Sequence, residues 1–480
     1  MNPLKIIALC SLFGAASLSN LVAKETAQPN ILFLFTDDHA YNTAAFAGNS
    51  EVKTPHLDKL SEQGTTFTRA YNMGAWYGAV CLSSRGMMNT GRFLWRVREN
   101  DFGQDMDKEG RIKLWPERMK ELGYETYFSG KWHTFGVPKK MFDHMGALRG
   151  GMPEDHPDGY NRPLPAQPDP WSPSDPSFGG YWKGGKHWSE ALADESLSFI
   201  EDAAQRNKPF FMYLAFNAPH DPRQSPQEYV DMYPPETLSL PASFLPENPH
   251  NGKIGIDRTS RDERLAPFPR TEEAVQIHRS EYYALVTHLD AQIGRILEGL
   301  EKSGMVDNTI IIYSADHGLA LGAHGLLGKQ NMFEHSIRAP LIFVGPGFEA
   351  NKKIELPVYI QDLMASSYEL AGAPVPSDIQ FKSLLPYLKN KDRKPYKAIY
   401  GAFKKDAQRM VIENEMKLIL YPLISEILLY NLEKDPNGLN DLSKKPEYKN
   451  IIEQLYVELK HQQKLVGDKL DLDPHYPELN

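Results

Sequence analysis

Three apolar runs in this chain each stop at a polar cluster, and that arrangement restricts the fold more than any other feature. Residues 29–35 read Pro-Asn-Ile-Leu-Phe-Leu-Phe and end at Thr36-Asp37-Asp38; residues 210–216 lead to Pro219-His220; residues 309–313 lead to Ser314-Ala315-Asp316-His317-Gly318. An apolar run of this length without alternation is the pattern of a parallel strand buried on both faces. Helical patterns fall between the runs. Thr54-Pro55 opens a helix that Gly64 closes, with Leu57 and Leu60 as its apolar face; 115–122 precedes a strand at 124–129, and 190–204 feeds the run at 210–216. Tyr282, Leu285, Leu289, Ile293, Ile296 and Leu300 recur at 3/4 spacing and predict a long amphipathic helix over 279–302. The expected fold is α/β, with a large, mostly parallel sheet flanked by helices. Such sheets gather ligands beyond the carboxyl ends of their strands, which is where Asp37, Asp38, His220, Asp316 and His317 fall.

A chain of 480 residues, 41% of them hydrophobic, has material for a large core and for two or three units. Net charge of -9 argues against a general nucleic-acid binder, which would carry a basic stripe. An anionic substrate would have to be held by a local cluster of cations. Lys5, the apolar run 6–18 and small residues up to Ala23 form a secretory signal pattern over 1–23, too short and too rich in Ser and Gly for a stable membrane span. The expectation is an exported protein, periplasmic or secreted. A larger α/β domain is expected over 24–390. From about 391 the pattern changes to short strands at 398–402, 409–413, 417–421 and 427–431 and a helix near 448–463, the mark of a smaller α+β subdomain over 391–480. Two Pro-rich stretches, 153–185 and 234–269, read as long functional loops.

Leader removal would also remove Cys10, one of the two cysteines, and leave Cys81 without an intramolecular partner. Such a thiol is a small buried hydrophobe, a reactive group or a substrate for modification. Its setting, Cys81-Leu82-Ser83-Ser84-Arg85, resembles the Cys-x-Pro-Ser-Arg signature of type I sulfatases, members of the alkaline-phosphatase-like superfamily whose cysteine is converted to formylglycine. Gly91-Arg92 matches the Thr-Gly-Arg that commonly follows. The resemblance continues through Thr36-Asp37-Asp38, Gly130-Lys131-Trp132-His133, Ala218-Pro219-His220, Asp316-His317-Gly318, Gly328-Lys329 and the segment from Tyr430 to Pro436. Each motif is short, but together and in this order they cover nearly all of the mature chain. Ser83 departs from the proline usual at that place.

The resemblance implies sulfate ester hydrolysis. Hydrated formylglycine carries two hydroxyls on one carbon, so one can attack sulfur and deprotonation of the other then expels sulfate. It implies one calcium ion held by Asp37, Asp38, Asp316 and His317 with the modified residue 81; His317 stands where many relatives have asparagine. It also implies that Arg85 orients the diol, that Lys131 and Lys329 contact sulfate oxygens, that His133 acts as base and His220 as the acid at the leaving oxygen. Trp171, Tyr181, Trp182 and Trp188, with Trp76 and Tyr77, are candidates to stack on a sugar, and Arg223 to read a second charge. The expected partners are a sulfated carbohydrate and a formylglycine-generating maturation enzyme, with no nucleic acid. A phosphomonoester or phosphonate hydrolase of the same superfamily, and a non-catalytic sugar-binding protein with an unconverted Cys81, are the competing readings.

Overall fold

The computed structural model describes residues 28–99, 111–389 and 395–479; the expected leader, Cys10 and the expected boundary at 390/391 lie outside them. An eight-stranded sheet runs in the order Lys352–Ile354, Thr65–Phe67, Leu341–Val344, Thr309–Ala315, Asn30–Thr36, Phe210–Ala215, Glu125–Lys131, His144–Arg149. From Thr309–Ala315 to His144–Arg149 every neighbouring pair is parallel. Leu341–Val344 is antiparallel to both its neighbours, so the sheet is mixed at that side. Among the described residues no helix is long and apolar enough to cross a membrane.

The pleat explains why the apolar runs show no alternation. Ile31, Phe33 and Phe35 point to one face and pack with Phe211, Tyr213, Ile310, Ile312 and Trp115. Leu32 and Leu34 point to the other and meet Met212, Leu214, Ile311, Leu285, Leu289 and Ile293. Both faces are covered, so the whole strand is buried and residues 31–35 between Asn30 and Thr36 are all apolar. The long helix starts at Glu272 rather than at Arg279 and ends at Lys302. Its polar first turns hide it from an apolar-spacing argument, while the Thr271 hydroxyl caps it by accepting the Ala274 N–H at 3.1 Å. Its Asp290 in turn accepts the free N–H groups of His56 and Leu57, at 3.1 and 2.8 Å, at the start of helix Pro55–Gln63.

The C-terminal strands form a second sheet, in the order Glu426–Asn431, Met416–Tyr421, Gln408–Glu413, Ile399–Phe403, Gly74–Ala75. Helix Lys449–Val466 packs on one face through Ile452, Leu455, Tyr456 and Leu459. The other face packs on the part of the chain that carries the large sheet, through Ile399, Met410, Ile412 and Ile419 against Met73, Val80 and Ile337. The last strand in that order comes from far earlier in the chain: Gly74–Ala75 pairs in parallel with Ala402 and Phe403, six residues before Cys81. A Cβ on Gly74 would stand 1.9 Å from the Ala402 carbonyl oxygen, at a φ of +103°. Gly74→Ala is therefore expected to lower the unfolding free energy by about 2–4 kcal/mol, read by thermal and chemical denaturation; an unchanged melting temperature would contradict this account of the subdomain seam.

Candidate active site

The parallel register brings the polar ends of the strands together. Thr36 lies opposite Ala315, so Asp37-Asp38 and Asp316-His317 leave adjacent strands side by side. The Asp38 N–H donates to Asp316 Oδ1 at 3.2 Å, with Asp38 itself at a φ of +63°. Lys131 ends the strand Glu125–Lys131, and His220 follows the strand Phe210–Ala215. Cys81 sits in the first turn of helix Val80–Thr90, whose positive end favours a nearby anion. Its Sγ lies 3.3 Å from His317 Nε2, 3.4 Å from Lys329 Nζ and 3.9 Å from Asp38 Oδ1. Ser84 ties the helix to the strand end by donating to the Asp316 carbonyl at 2.7 Å.

Around the thiol stand three carboxylates and three cations, all buried. Arg85 Nε donates to Asp316 Oδ2 at 2.9 Å, and its Nη1 to the Lys131 carbonyl at 2.8 Å. Lys131 is hydrogen-bonded to Asp37. Lys329 Nζ meets both oxygens of Asp38 at 2.7 Å. The cluster is thus neutral as a whole: Asp37, Asp38 and Asp316 against Arg85, Lys131 and Lys329.

Burial opposes every charge there. It raises Asp38 against the pull of Lys329 and His317, and it draws Lys131 well below the usual lysine range against the pull of Asp316. At Asp316 burial is outweighed by His317, Arg85 and Lys131, which hold the carboxyl below the ordinary range. At Lys329 burial is outweighed by Asp38, and the ammonium is held above its ordinary range. Burial pushes the Cys81 thiol up. Burial, with Lys131 and Arg85 nearby, lowers His133 to about 3, and burial with Lys329 and Lys131 takes His220 well below the usual imidazole range.

Two details bear on what the cluster can hold. Asp37, Asp38, Cys81 and His317 each offer a ligand atom, all within 4.8 Å of one another, and buried Asp37 Oδ1 has no hydrogen-bond partner among the described residues. His317 Nδ1 faces the Gly318 carbonyl at 3.0 Å; a carbonyl only accepts, so Nδ1 carries the proton and Nε2 turns its lone pair to the cluster. Carboxylate oxygens with one imidazole fit a hard divalent cation. Asp316 joins them at one remove, its Oδ1 being 3.5 Å from His317 Nε2.

An open pocket of about 490 Å³ leads to this cluster, lined by Cys81, His133, His220 and Lys329 with Met152, Arg261, Gln330 and Lys404. His220 Nδ1 contacts the Asp221 carbonyl at 2.7 Å, so Nε2 faces the site, 3.7 Å from Asp38 Oδ2. His133, at a φ of +44°, has its Nδ1 unpartnered among the described residues.

The aromatic residues expected to stack on substrate do not line this pocket. Tyr181 is buried and stacks on His187, Trp171 packs against Phe178, Trp188 packs beside the helical face of the sheet, and Trp76 and Tyr77 stack on each other. Arg223 is buried too, over the Tyr282 ring, and does not reach the pocket. The arginine that does is Arg261, from the loop between residues 234 and 270. It pairs with Asp221 at 2.5 Å and with Asp262, and its Nη2 lies 3.4 Å from His220 Nε2. Next to it Glu263 accepts the N–H groups of Leu327 and Gly328, at 3.2 and 2.8 Å, and pairs with Arg270, fixing the segment that carries Lys329. The sequence marked that loop as functional, but no short motif singles out Arg261 or Glu263.

Comparison with known proteins agrees with this geometry. The family model described as Sulfatase matches residues 29–373, and that described as N-sulphoglucosamine sulphohydrolase, C-terminal, matches residues 322–465. The chain is 28% identical to an N-acetylglucosamine-6-O-sulfatase of Bacteroides thetaiotaomicron, over 97% of this chain and 92% of that protein. It is 27% identical to an ulvan-active sulfatase of Formosa agariphila, over 94% and 84%. Among solved structures, a protein in complex with its substrate D-glucosamine-2-N,6-O-disulfate superposes with a TM-score of 0.72 at 26% identity, covering 92% of this chain and 99% of that one. A phosphonate monoester hydrolase from Silicibacter pomeroyi superposes with a TM-score of 0.73 over 92% and 96%, but at 20% identity this is a likeness of fold alone. The chain belongs to the sulfatase family, and its reaction class is sulfuric ester hydrolysis.

Removing one cation from a buried neutral cluster leaves a carboxylate without compensation. Lys131→Met is expected to lower the unfolding free energy by about 3–5 kcal/mol, whereas Lys139→Met, at an exposed lysine of the same segment, should change it by less than about 0.5 kcal/mol. Equal effects in denaturant unfolding would show that the cluster is not the charge-balanced unit described.

Proposed function

We propose that this sulfatase hydrolyses a sulfate ester on a sulfated carbohydrate, with residue 81 acting as formylglycine and one calcium ion held by Asp37, Asp38, Asp316, His317 and residue 81. The observation that carries the reading is the position of Cys81 Sγ between His317 Nε2 and Lys329 Nζ, at the floor of a pocket lined by two further histidines. The two carbohydrate-directed relatives, one named for N-acetylglucosamine-6-O-sulfate and one for ulvan, support the substrate class.

Bound calcium would supply a fixed positive charge that holds and polarises the nucleophile's oxygen. The protein's own groups do the rest. A neutral buried cluster that gains a divalent cation has two positive charges to offset, and the sulfate group approaches two negative charges as its bond to the sugar breaks. Lys329 and Lys131 are the donors for the sulfate oxygens, and Arg85 fixes residue 81 by holding Asp316. His220 presents Nε2 toward the leaving oxygen, its ring held by the Nδ1–H bond to the Asp221 carbonyl; the proton delivered there is taken up at Nε2 when the anionic sulfate ester enters and offsets the charges of Lys329 and Lys131. His133, unpartnered at Nδ1, is the base that takes the proton in the second half of the reaction.

Cys81 is only 2% exposed, so conversion by a maturation enzyme acts on the extended segment before it folds. The leader pattern at 1–23 supports export to the periplasm or the medium.

Cys81→Ala, and Cys81→Ser in a host that does not convert serine, are expected to abolish turnover while leaving the fold intact by circular dichroism; retained activity in either would overturn the mechanism. Prolonged chelation should lower both the rate and the melting temperature, because an ion bound only by the native state stabilises it by mass action; verified metal removal without either effect would rule the ion out.

The two histidines are separable with substrates of different leaving group. His220→Ala is expected to slow sugar sulfates by about 10²–10⁴-fold and 4-nitrophenyl sulfate far less, since nitrophenolate scarcely needs a proton. His133→Ala should slow both substrates alike. The opposite pattern in kcat would reverse the assignment.

A further inference from the structure

Beyond the catalytic cluster, the pocket carries one cation that no carboxylate among the described residues neutralises. Arg85, Lys131 and Lys329 are each committed to a buried carboxylate, and Arg261 is held by Asp221 and Asp262. Lys404 is different. It stands in the turn between Ile399–Phe403 and Gln408–Glu413 of the C-terminal sheet, half-buried, and among the described residues it has no ion-pair partner. Its Nζ donates to the Gly255 carbonyl at 2.6 Å and lies 5.5 Å from the centre of the Phe403 ring. Among the described residues no carboxylate lines the pocket into which Lys404 and Phe403 face.

The turn is built to hold that lysine in place. The Lys404 backbone N–H donates to the Ala75 carbonyl at 2.8 Å, on the strand that leads to Cys81. Gln408 Nε2 donates to the carbonyls of Ile254 and Gln330, at 2.8 and 3.1 Å, joining the turn to the Arg261 loop on one side and to the Lys329 segment on the other. Gly255 has a φ of +84°, and a Cβ there would fall 2.6 Å from Ala407 Cβ and 3.4 Å from Lys404 Cδ, so the loop closes on the turn only as glycine. Lys404 itself takes a φ of +55°, a left-handed conformation in which asparagine or glycine sits with less strain. A strained, tethered and unneutralised lysine over a carboxylate-free wall is arranged to receive an anion.

We propose that Lys404, with the exposed side of Arg261, binds a second anionic group of the substrate, a sulfate or a carboxylate displaced from the ester being cleaved. The substrate is therefore a sulfated sugar with at least two negative charges, and the C-terminal subdomain takes part in choosing it. This deepens the sulfatase reading and rests on it.

The test is competitive inhibition of 4-nitrophenyl sulfate hydrolysis by matched sugars. The pairs are N-acetylglucosamine 6-sulfate against glucosamine N,6-disulfate and galactose 6-sulfate against galactose 2,6-disulfate, with the uronate-linked form of each monosulfate as the carboxylate arm. In at least one set the doubly charged sugar should inhibit about tenfold or more tightly than its monosulfate, the effect of one charge-assisted hydrogen bond. Lys404→Met should erase that ratio and Lys404→Arg keep it. The sulfate and uronate arms show which anion is read. Equal inhibition within every set, or a Lys404→Met variant that weakens both members of a set equally, overturns the proposal while nitrophenyl sulfate turnover leaves the sulfatase reading standing. A protein inert on every sulfate ester would remove both.

Discussion

The rest of the structure depends on one constraint: three carboxylates and three cations are taken out of water together, at the C-terminal edge of the sheet. None of these charges is tolerable there alone. Asp316 is held by Arg85, Asp37 by Lys131 and Asp38 by Lys329, and each partner comes from a different segment. Strand order, the helix of Cys81 and the Lys329 segment must therefore all be correct before any one of them is stable. A cluster of this kind contributes little net stability compared with apolar packing, but it fixes a single arrangement of groups around residue 81.

The sheet supplies the positions and the long segments supply the support. Parallel strands deliver Asp37, Lys131, His220 and Asp316 to one edge because their register is set by packing on both faces, as the split of Ile31, Phe33 and Phe35 from Leu32 and Leu34 shows. The loop from 254 to 270 then closes over that edge. Glu263 organises the approach to Lys329, and Arg261 ties His220 and Asp221 to the pocket wall. The C-terminal sheet continues the same wall through Phe403 and Lys404, with buried Gln408 tying it to the loop. The large sheet's part of the chain and the C-terminal sheet share a core through Met73, Val80 and Met410, so the segment carrying Cys81 is packed from both.

How much of this was legible in the sequence depends on the kind of signal. The central strands could be read because burial on both faces leaves continuous apolar runs; the carboxylates at their ends, which alone read as turns, gained meaning only from the motifs found with them. Strands at the margin, such as His144–Arg149 and Lys352–Ile354, were not legible: they are short and partly exposed, and their residues carry no period. The start of the long helix was hidden by its polar first turns. Motifs marked the residues that meet at Cys81, since their spacing is local. Arg261, Glu263, Gln408 and Lys404 carry no local signal, because each acts through a contact across many residues of chain. The aromatic residues misled for a related reason: Trp171 and Tyr181 lie in a loop that looked open, yet Trp171 packs within the loop against Phe178 and Tyr181 is drawn into the core on one face of the sheet. Ser83, where the family pattern has proline, is fully buried, and its hydroxyl has no partner among the described residues.

The account stands on residue 81 working as an aldehyde hydrate rather than a thiol. Its most direct test is mass spectrometry of the peptide containing residue 81, taken from protein made with and without a formylglycine-generating enzyme and set beside sulfatase activity per molecule. The account predicts that specific activity rises in proportion to the fraction of peptide carrying the aldehyde and extrapolates to zero for the thiol. Full activity in protein whose peptide retains an unmodified Cys81 would contradict it.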